Sequence, residues 1–69
     1  MGIKERYFNV LKDNYFDDLE LQDLEPLDQI SFLLDLEREF KISIDDDKAS
    51  DIFIKGTHDE FIDYIKTLL

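Results

Sequence analysis

The chain has no cysteine, one proline and two glycines among its 69 residues. Disulfides and thiol chemistry are therefore excluded, and so is a zinc finger, because His58 is the single histidine. The scarcity of proline and glycine argues against disorder. A domain of this size buries only about 60% of the surface that its unfolded chain exposes. Its core must therefore come from packing of the apolar residues, which make up 43% of the sequence.

Basic residues are also scarce, with 8 Lys and Arg against 18 Asp and Glu, which gives a formal net charge of −10 at pH 7. Nucleic acid and anionic membranes repel such a chain, whereas a protein with a basic docking patch attracts it. Solubility alone would explain the acidity equally well. No apolar run approaches the ~20 residues that span a bilayer, and the N-terminal stretch MGIKERYF lacks the apolar core of a signal peptide. We expect a cytoplasmic protein that binds neither nucleic acid nor membrane.

The longest amphipathic segment is PLDQISFLLDLEREF, residues 26–40. Pro26 is well suited to the first position of a helix, where its missing N–H would be unpaired anyway. At about 100° per residue, the apolar and polar side chains of this helix separate into two arcs. The arc predicted to face the core contains Leu27, Ile30, Leu33, Leu34, Leu36 and Phe40. The polar arc contains Asp28, Ser31, Asp35, Arg38 and Glu39. Phe32 lies at the border of the polar arc, so we expect it to be partly exposed.

A first helix is predicted before this segment, from about residue 3 to residue 15. Its apolar residues recur at three- and four-residue spacing and are Ile3, Tyr7, Val10 and Leu11. Tyr15 and Phe16 are expected to cap its apolar face. Residues 17–25 are rich in acidic side chains and fit neither a long helix nor a strand. We interpret them as a connector that its leucines fix to the core.

Two shorter helices are predicted after the central one. Residues 41–44 alternate polar and apolar side chains and form an extended linker, and the aspartates of residues 45–47 favour a helix N-terminus. Gly56 is expected to end this short third helix. Thr57 followed by Glu60 fits a capping box, which begins a fourth helix. The residues predicted to face inward are Ala49, Ile52 and Phe53 in the third helix and Phe61, Ile62, Ile65, Leu68 and Leu69 in the fourth. The predicted fold is a single all-α domain over residues 1–69, a four-helix bundle with a short third helix.

We predict no catalytic residue and no metal site. His58 falls in the first turn of a helix, with no cysteine nucleophile available, and is interpreted as a surface residue. Counting from Asp45, an EF-hand loop would need glycine at its sixth position and glutamate at its twelfth, which are Ser50 and Gly56 here. Paired carboxylates are plentiful, but nothing in the sequence indicates a pocket for acid–base chemistry. We expect the protein not to be an enzyme.

Residues 21–44, LQDLEPLDQISFLLDLEREFKISI, resemble the acyl and peptidyl carrier proteins. The resemblance extends to the ends of the chain, through residues 3–6 and residues 61–65. The matches to the family's central pattern are Leu27-Asp28, Leu36-Glu37, Phe40, Ile42 and Ile44. The resemblance implies a four-helix bundle whose second helix contacts biosynthetic enzymes, and in this family a serine at the start of that helix carries 4'-phosphopantetheine.

The chain departs from this family at the attachment site. Pro26 occupies the position of the serine, so that Glu25-Pro26-Leu27 stands in place of Asp-Ser-Leu. Proline has no hydroxyl, so no phosphodiester can form there and we predict no cofactor. None of the nearest serines, Ser31, Ser43 and Ser50, has the required context. The connector, shorter than in typical carriers, argues against storage of a long acyl chain, and Arg38 and Lys41 stand where acidic residues are common in fatty-acid carriers.

The resemblance therefore predicts a docking module for enzymes of fatty acid, polyketide or nonribosomal peptide synthesis, without the arm at the usual place. The predicted partner contacts are Glu25, Leu27, Asp28, Ser31, Phe32, Asp35, Arg38 and Glu39. Two alternatives remain open. The chain could be a genuine carrier in which Pro26 is a replacement or the arm is elsewhere, or it could be a small acidic inhibitor of the immunity-protein or antitoxin type that masks a basic partner.

Overall fold

The computed structural model describes residues 2–15 and 19–69, and within these ranges it contains helices and no strands. The prediction of an all-α, four-helix bundle is confirmed. The helices are α1 (Ile3–Asn14), a short 3-10 helix (Leu21–Asp23), α2 (Pro26–Phe40), α3 (Asp46–Lys55) and α4 (His58–Leu68). With 10 residues, α3 is the shortest of the four α-helices described. None of the described helices combines the length and the apolar character that a membrane crossing requires.

Helix α1 lies against α2 and α4. Its inner face is the predicted one, with Tyr7 and Leu11 fully buried and Val10 nearly so. The helix ends at Asn14, and the Tyr15 N–H donates to the Leu11 carbonyl at 2.7 Å. The Tyr15 ring is half-buried against the core, as predicted. The predicted roles of Phe16 and of the acidic residues 17–18 lie outside the described residues.

The connector is more regular than its sequence indicates, because it contains the 3-10 helix. Leu21 and Leu24 are buried, which confirms that leucines fix this segment to the core. The Gln22 side-chain amide donates to the carbonyls of Phe53 (3.1 Å) and Gly56 (2.8 Å) at the end of α3. Since the last carbonyls of a helix have no partners within it, Gln22 both caps α3 and ties the connector to it.

Helix α2 is turned about its axis relative to the predicted orientation. Phe32, which we expected to be partly exposed, is fully buried. Leu27, Ile30 and Leu34, which we expected in the core, are 81%, 56% and 50% exposed. The prediction was wrong because apolar side chains occupy more of this helix than one core contact can cover, and the core takes the side with the larger rings. Of the predicted inner residues, Leu36 and Phe40 are buried and Leu33 is half-buried.

Helix α3 begins as predicted. Asp45 is its N-cap and its carboxylate accepts hydrogen bonds from the N–H groups of Asp47 (2.8 Å) and Lys48 (3.2 Å). The predicted inner residues Ala49, Ile52 and Phe53 are buried.

Gly56 ends α3, also as predicted, but not through a left-handed conformation, since its φ is −93°. It is required because a Cβ at this position would lie 2.8 Å from the Ile52 carbonyl oxygen. Helix α4 follows at once, and the Thr57 hydroxyl accepts a hydrogen bond from the Glu60 N–H at 3.2 Å.

Helix α4 completes the core. Phe61, Ile62 and Ile65 are buried as predicted, whereas Leu68 and Leu69 are exposed and that part of the prediction was wrong. Phe61 contacts rings from three elements, with centroid distances of 5.3 Å to Phe53, 6.0 Å to Tyr7 and 6.4 Å to Phe32. The core therefore joins α1, α2, α3 and α4 through aromatic side chains.

Candidate docking site

An open groove of about 490 Å³ runs between α2 and α3. It exists because α3 packs mainly against the 3-10 helix and α4 rather than closely against α2. The residues that line it are Pro26, Gln29, Ile30, Leu33, Leu34 and Glu37 from α2 and Asp46, Ala49, Ser50 and Phe53 from α3. The sequence gives no indication of such a pocket.

The loop between the two helices sets the end of the groove. Lys41, the C-cap of α2, adopts the left-handed conformation with φ 55° and ψ 49°, which turns the chain back. The Glu37 carboxylate then accepts a hydrogen bond from the Ile44 N–H at 2.8 Å. Ile44 itself is buried. The loop is thus fixed by Glu37 on one side and by the core on the other.

The outer rim of the groove is apolar and exposed. Leu27, Ile30 and Leu34 are spaced three and four residues apart, so they form one stripe along α2. On the other helix, Ile54 is 68% exposed and follows groove-lining Ser50 by one turn. A single exposed leucine needs no explanation, but several that border one groove mark a surface for binding another molecule.

The end of the groove next to the loop is acidic. Glu37 and Asp46 line it, and Asp45 and Asp47 are exposed beside Asp46. In the part of the chain that the structure describes, none of these four carboxylates lies within ion-pair distance of a basic side chain. Their charge is therefore available to attract a cation on another molecule.

The predicted partner contacts do not all lie on one accessible face. Glu25, Leu27, Ser31 and Arg38 are exposed, while Asp28 and Asp35 are half-buried. Phe32 leaves the set, because a fully buried ring cannot touch a partner.

Glu39, the last member of that set, is engaged within the molecule. Arg6 donates from Nε to the Glu39 carboxylate at 2.8 Å and from Nη2 to the Glu39 carbonyl at 2.7 Å. The same guanidinium lies 4.6 Å from the centre of the Phe40 ring. These contacts join α1 to the end of α2, so Glu39 has a structural role.

The prediction that His58 is a surface residue was wrong. The ring is half-buried, with Nδ1 2.8 Å from the Tyr7 hydroxyl and Nε2 2.5 Å from the Leu19 carbonyl oxygen. A carbonyl only accepts, so Nε2 carries the proton and Nδ1 accepts from Tyr7. Burial, and to a smaller extent the charge of Asp59, raises the pKa of Tyr7 and keeps its hydroxyl a donor. Both ring nitrogens are therefore used to join α4, α1 and the connector.

No second chemical site emerges from the described residues. They contain no group of three or more histidine and acidic side chains placed to hold a metal ion. Pro26 is exposed at the first position of α2, where the resemblance expects the attachment serine. Ser31, Ser43 and Ser50 are exposed as well. Comparison with protein-family models, curated proteins and solved structures gives no match to this chain.

Ile30, Leu34 and the α3 wall of the groove are the surface residues that sequence reasoning missed. One signal was present in the wheel of α2. Its apolar positions from Phe32 round to Leu27 spread over roughly 220°, whereas a helix that rests on one core needs an apolar arc of roughly 100° or somewhat more. The excess predicts a second apolar contact, but not which of the two is filled inside the chain.

Proposed function

We propose that the chain is a carrier-protein-like helical domain that lacks the phosphopantetheine arm at the usual position and acts as a docking module. Its partners would be enzymes of fatty acid, polyketide or nonribosomal peptide synthesis, which it contacts through α2. The observation that carries this proposal is the start of α2. There Pro26 occupies the first helical position, followed by the exposed Leu27 and Ile30, so the start of the helix offers a contact surface but no hydroxyl.

Incubation with a broad-specificity phosphopantetheinyl transferase and coenzyme A, followed by intact-mass measurement, tests the missing arm. We expect no mass gain, because proline has no nucleophilic oxygen and Ser31 lies more than one turn into α2. A gain of the arm on any serine would contradict the proposal. The Pro26→Ser variant tests the rest of the recognition surface, with Pro26→Ala as the matched control. Loading of Pro26→Ser alone would favour a carrier whose attachment residue was replaced.

Docking is tested by capturing partners from the native host with the chain immobilised. The wild type should retain a biosynthetic enzyme, and variants of exposed α2 residues such as Leu27→Ser and Arg38→Glu should retain less of it. Thr67→Ser, an exposed change near the end of α4, serves as the control. Capture that is unaffected by changes on α2 would contradict docking through this helix.

A second candidate function is a small acidic inhibitor of the immunity-protein or antitoxin type. The net charge of −10 favours it, because such a chain is attracted to a basic enzyme. The same capture experiment distinguishes the two functions. A nuclease or toxin as the specific partner supports the inhibitor, and a biosynthetic enzyme supports the carrier-like module.

A further inference from the structure

We propose that the groove between α2 and α3 receives an amphipathic helix of the partner protein, one that carries apolar residues on one face and basic residues beside them. The inference rests on the proposed docking function and names the kind of segment that docks. It also moves the main contact from the polar side of α2, where the sequence placed it, to the groove.

The apolar stripe has the dimensions of a helix contact. Leu27, Ile30 and Leu34 are each at least half exposed, and the last follows the first by seven residues of helix. At a rise of 1.5 Å per residue, the stripe is about 10 Å long, or two helical turns. An amphipathic helix that binds in a groove inserts apolar side chains spaced three, four and seven residues apart, which is the same spacing as in this stripe.

The shape of the groove favours a helix over a small molecule. Its inner part is formed by Leu33, Ala49 and Phe53, and the small Ala49 side chain leaves room between the larger ones. Leu27 and Ile54 do not line the groove, but they follow its lining residues Pro26 and Phe53 in the sequence. At 81% and 68% exposed, they form an outer rim that a ligand sunk in the groove would leave in water. Small ligands are usually enclosed over most of their surface, whereas a helix brings a second apolar surface that covers the rim.

The charge at the loop end determines what accompanies the apolar anchors. Glu37 and Asp46 line that end, and neither is paired with a basic side chain within the described residues. An apolar helix with Lys or Arg beside its anchors satisfies both parts of the site. An acidic helix would place like charges together at this end.

A second copy of the chain does not meet this requirement. Two identical chains would usually pair through the same surface on both, and each has a net charge of −10 and the same acidic groove end. The two grooves would then repel each other, although their apolar stripes match. The charge therefore selects a different, basic partner.

Synthetic helical peptides of about 15 residues, a length at which isolated helices become marginally stable, serve as probes. The test peptide is alanine-rich, with leucines at i, i+3 and i+7 and lysines on both flanks. One control peptide replaces the lysines with glutamates, and another keeps the lysines but replaces the leucines with glutamines. Titration by fluorescence anisotropy at low ionic strength should show saturable binding of the test peptide, and at least about ten-fold weaker binding of both controls.

Variants of the chain locate the binding. Ile30→Ser combined with Leu34→Ser should abolish binding, and far-UV circular dichroism should remain unchanged because both side chains are on the surface. Asp46→Asn should weaken binding by about three- to ten-fold. Its control, Asp51→Asn, removes one charge from the far side of the same helix and should leave the affinity unchanged.

Four results would overturn the inference: no binding of the test peptide, equal binding of the lysine and glutamate peptides, binding that survives the double serine variant, or a wild-type dimer that this variant dissociates. Saturation of the groove by decanoate with no peptide binding would overturn it as well.

Failure of the proposed function looks different. A biosynthetic enzyme lost on Arg38→Glu but retained by the double serine variant leaves α2 docking intact and rejects the groove. Peptide binding by a chain whose host partner is a toxin keeps the groove and rejects the carrier-like role.

Discussion

Helix α2 has two apolar sides, an inner one that is buried in the core and an outer one that is exposed beside the groove. The inner side places Phe32 among rings of α1 and α4, with centroids 5.4 Å from Tyr7 and 6.4 Å from Phe61. The outer side places Ile30 and Leu34 beside a groove that α3 does not fill. The inner side is closed by the chain itself, whereas the outer side has no covering element among the described residues.

The difference shows which apolar residues of this small domain stabilise the fold and which do not. A chain of this length is only marginally stable. Exposed leucines do not increase its stability in the isolated molecule. We attribute their presence on one side of one helix, next to carboxylates that form no ion pair among the described residues, to the proposed contact outside the chain. The inner side therefore determines folding, and we assign the outer side to binding.

The largest expected effect on stability comes from shortening one side chain on each side of α2 and comparing the losses. Phe32→Ala should lower the free energy of unfolding by about 3–5 kcal/mol, because it removes a fully buried ring. Leu34→Ala should change it by less than about 0.5 kcal/mol, because that side chain is already half exposed. Urea denaturation followed by circular dichroism measures both.

Phe32→Ala could leave no folded protein to measure. Phe32→Leu, which keeps an apolar side chain, should still fold with a loss of about 1–2 kcal/mol. Equal losses for a leucine-to-alanine change on the outer side and Phe32→Leu on the inner side would show that the two sides do not differ.

A second effect is expected at the junction that fixes α3. Gly56→Ala should destabilise the chain by about 1–3 kcal/mol, because the new methyl group would lie 2.8 Å from the Ile52 carbonyl oxygen and 2.9 Å from its Cγ2. Gly2→Ala is the matched control, since a Cβ there meets no atom within 4 Å. Comparable urea midpoints for the two variants would contradict this role of Gly56.

The sequence was sufficient for the fold and insufficient for the site, for a physical reason. Helix starts depend on local chemistry, so the capping residues Asp45 and Thr57 located α3 and α4. The rotation of α2 depends on which of its two apolar arcs meets Tyr7 and Phe61, and those contacts join residues far apart in the chain. The burial of His58 depends likewise on Tyr7, 51 residues away. Spacing along a helix carries no record of such partners.

A third prediction concerns pH and the inner side. The pKa of Tyr7 is raised in the folded chain, mainly by burial, whereas an unfolded tyrosine ionises at about pH 10. Above that pH the unfolded state loses this proton while the folded state retains it. The contribution of Tyr7 to stability is therefore complete below about pH 10 and declines as the pH rises further, by at most about 1.4 kcal/mol per pH unit.

Tyr7→Phe isolates this effect from the titration of other groups. The variant loses the hydrogen bond to His58 and should be less stable than the wild type by about 1 kcal/mol at neutral pH. The two stabilities should converge above about pH 10, because only the wild type has a tyrosine at this position that ionises on unfolding, and so only the wild type loses stability there. Urea midpoints measured from pH 7 to 11 test this, and parallel curves over the whole range would contradict it.

The smallest effect is expected in the loop that closes the groove, where Lys41 has the single positive φ found in residues 2–15 and 19–69. A left-handed conformation costs a residue with a Cβ about 1 kcal/mol, which glycine avoids. Lys41→Gly should therefore raise the free energy of unfolding by about 0.5 kcal/mol, after the greater flexibility of glycine in the unfolded chain is subtracted. Lys41→Ala removes the same charge but keeps the Cβ, and it should give no gain. A glycine variant no more stable than the alanine variant would show that the turn is unstrained. A gain confined to glycine would locate a small strain at the C-cap of α2, where the chain gives up stability to turn back toward α3.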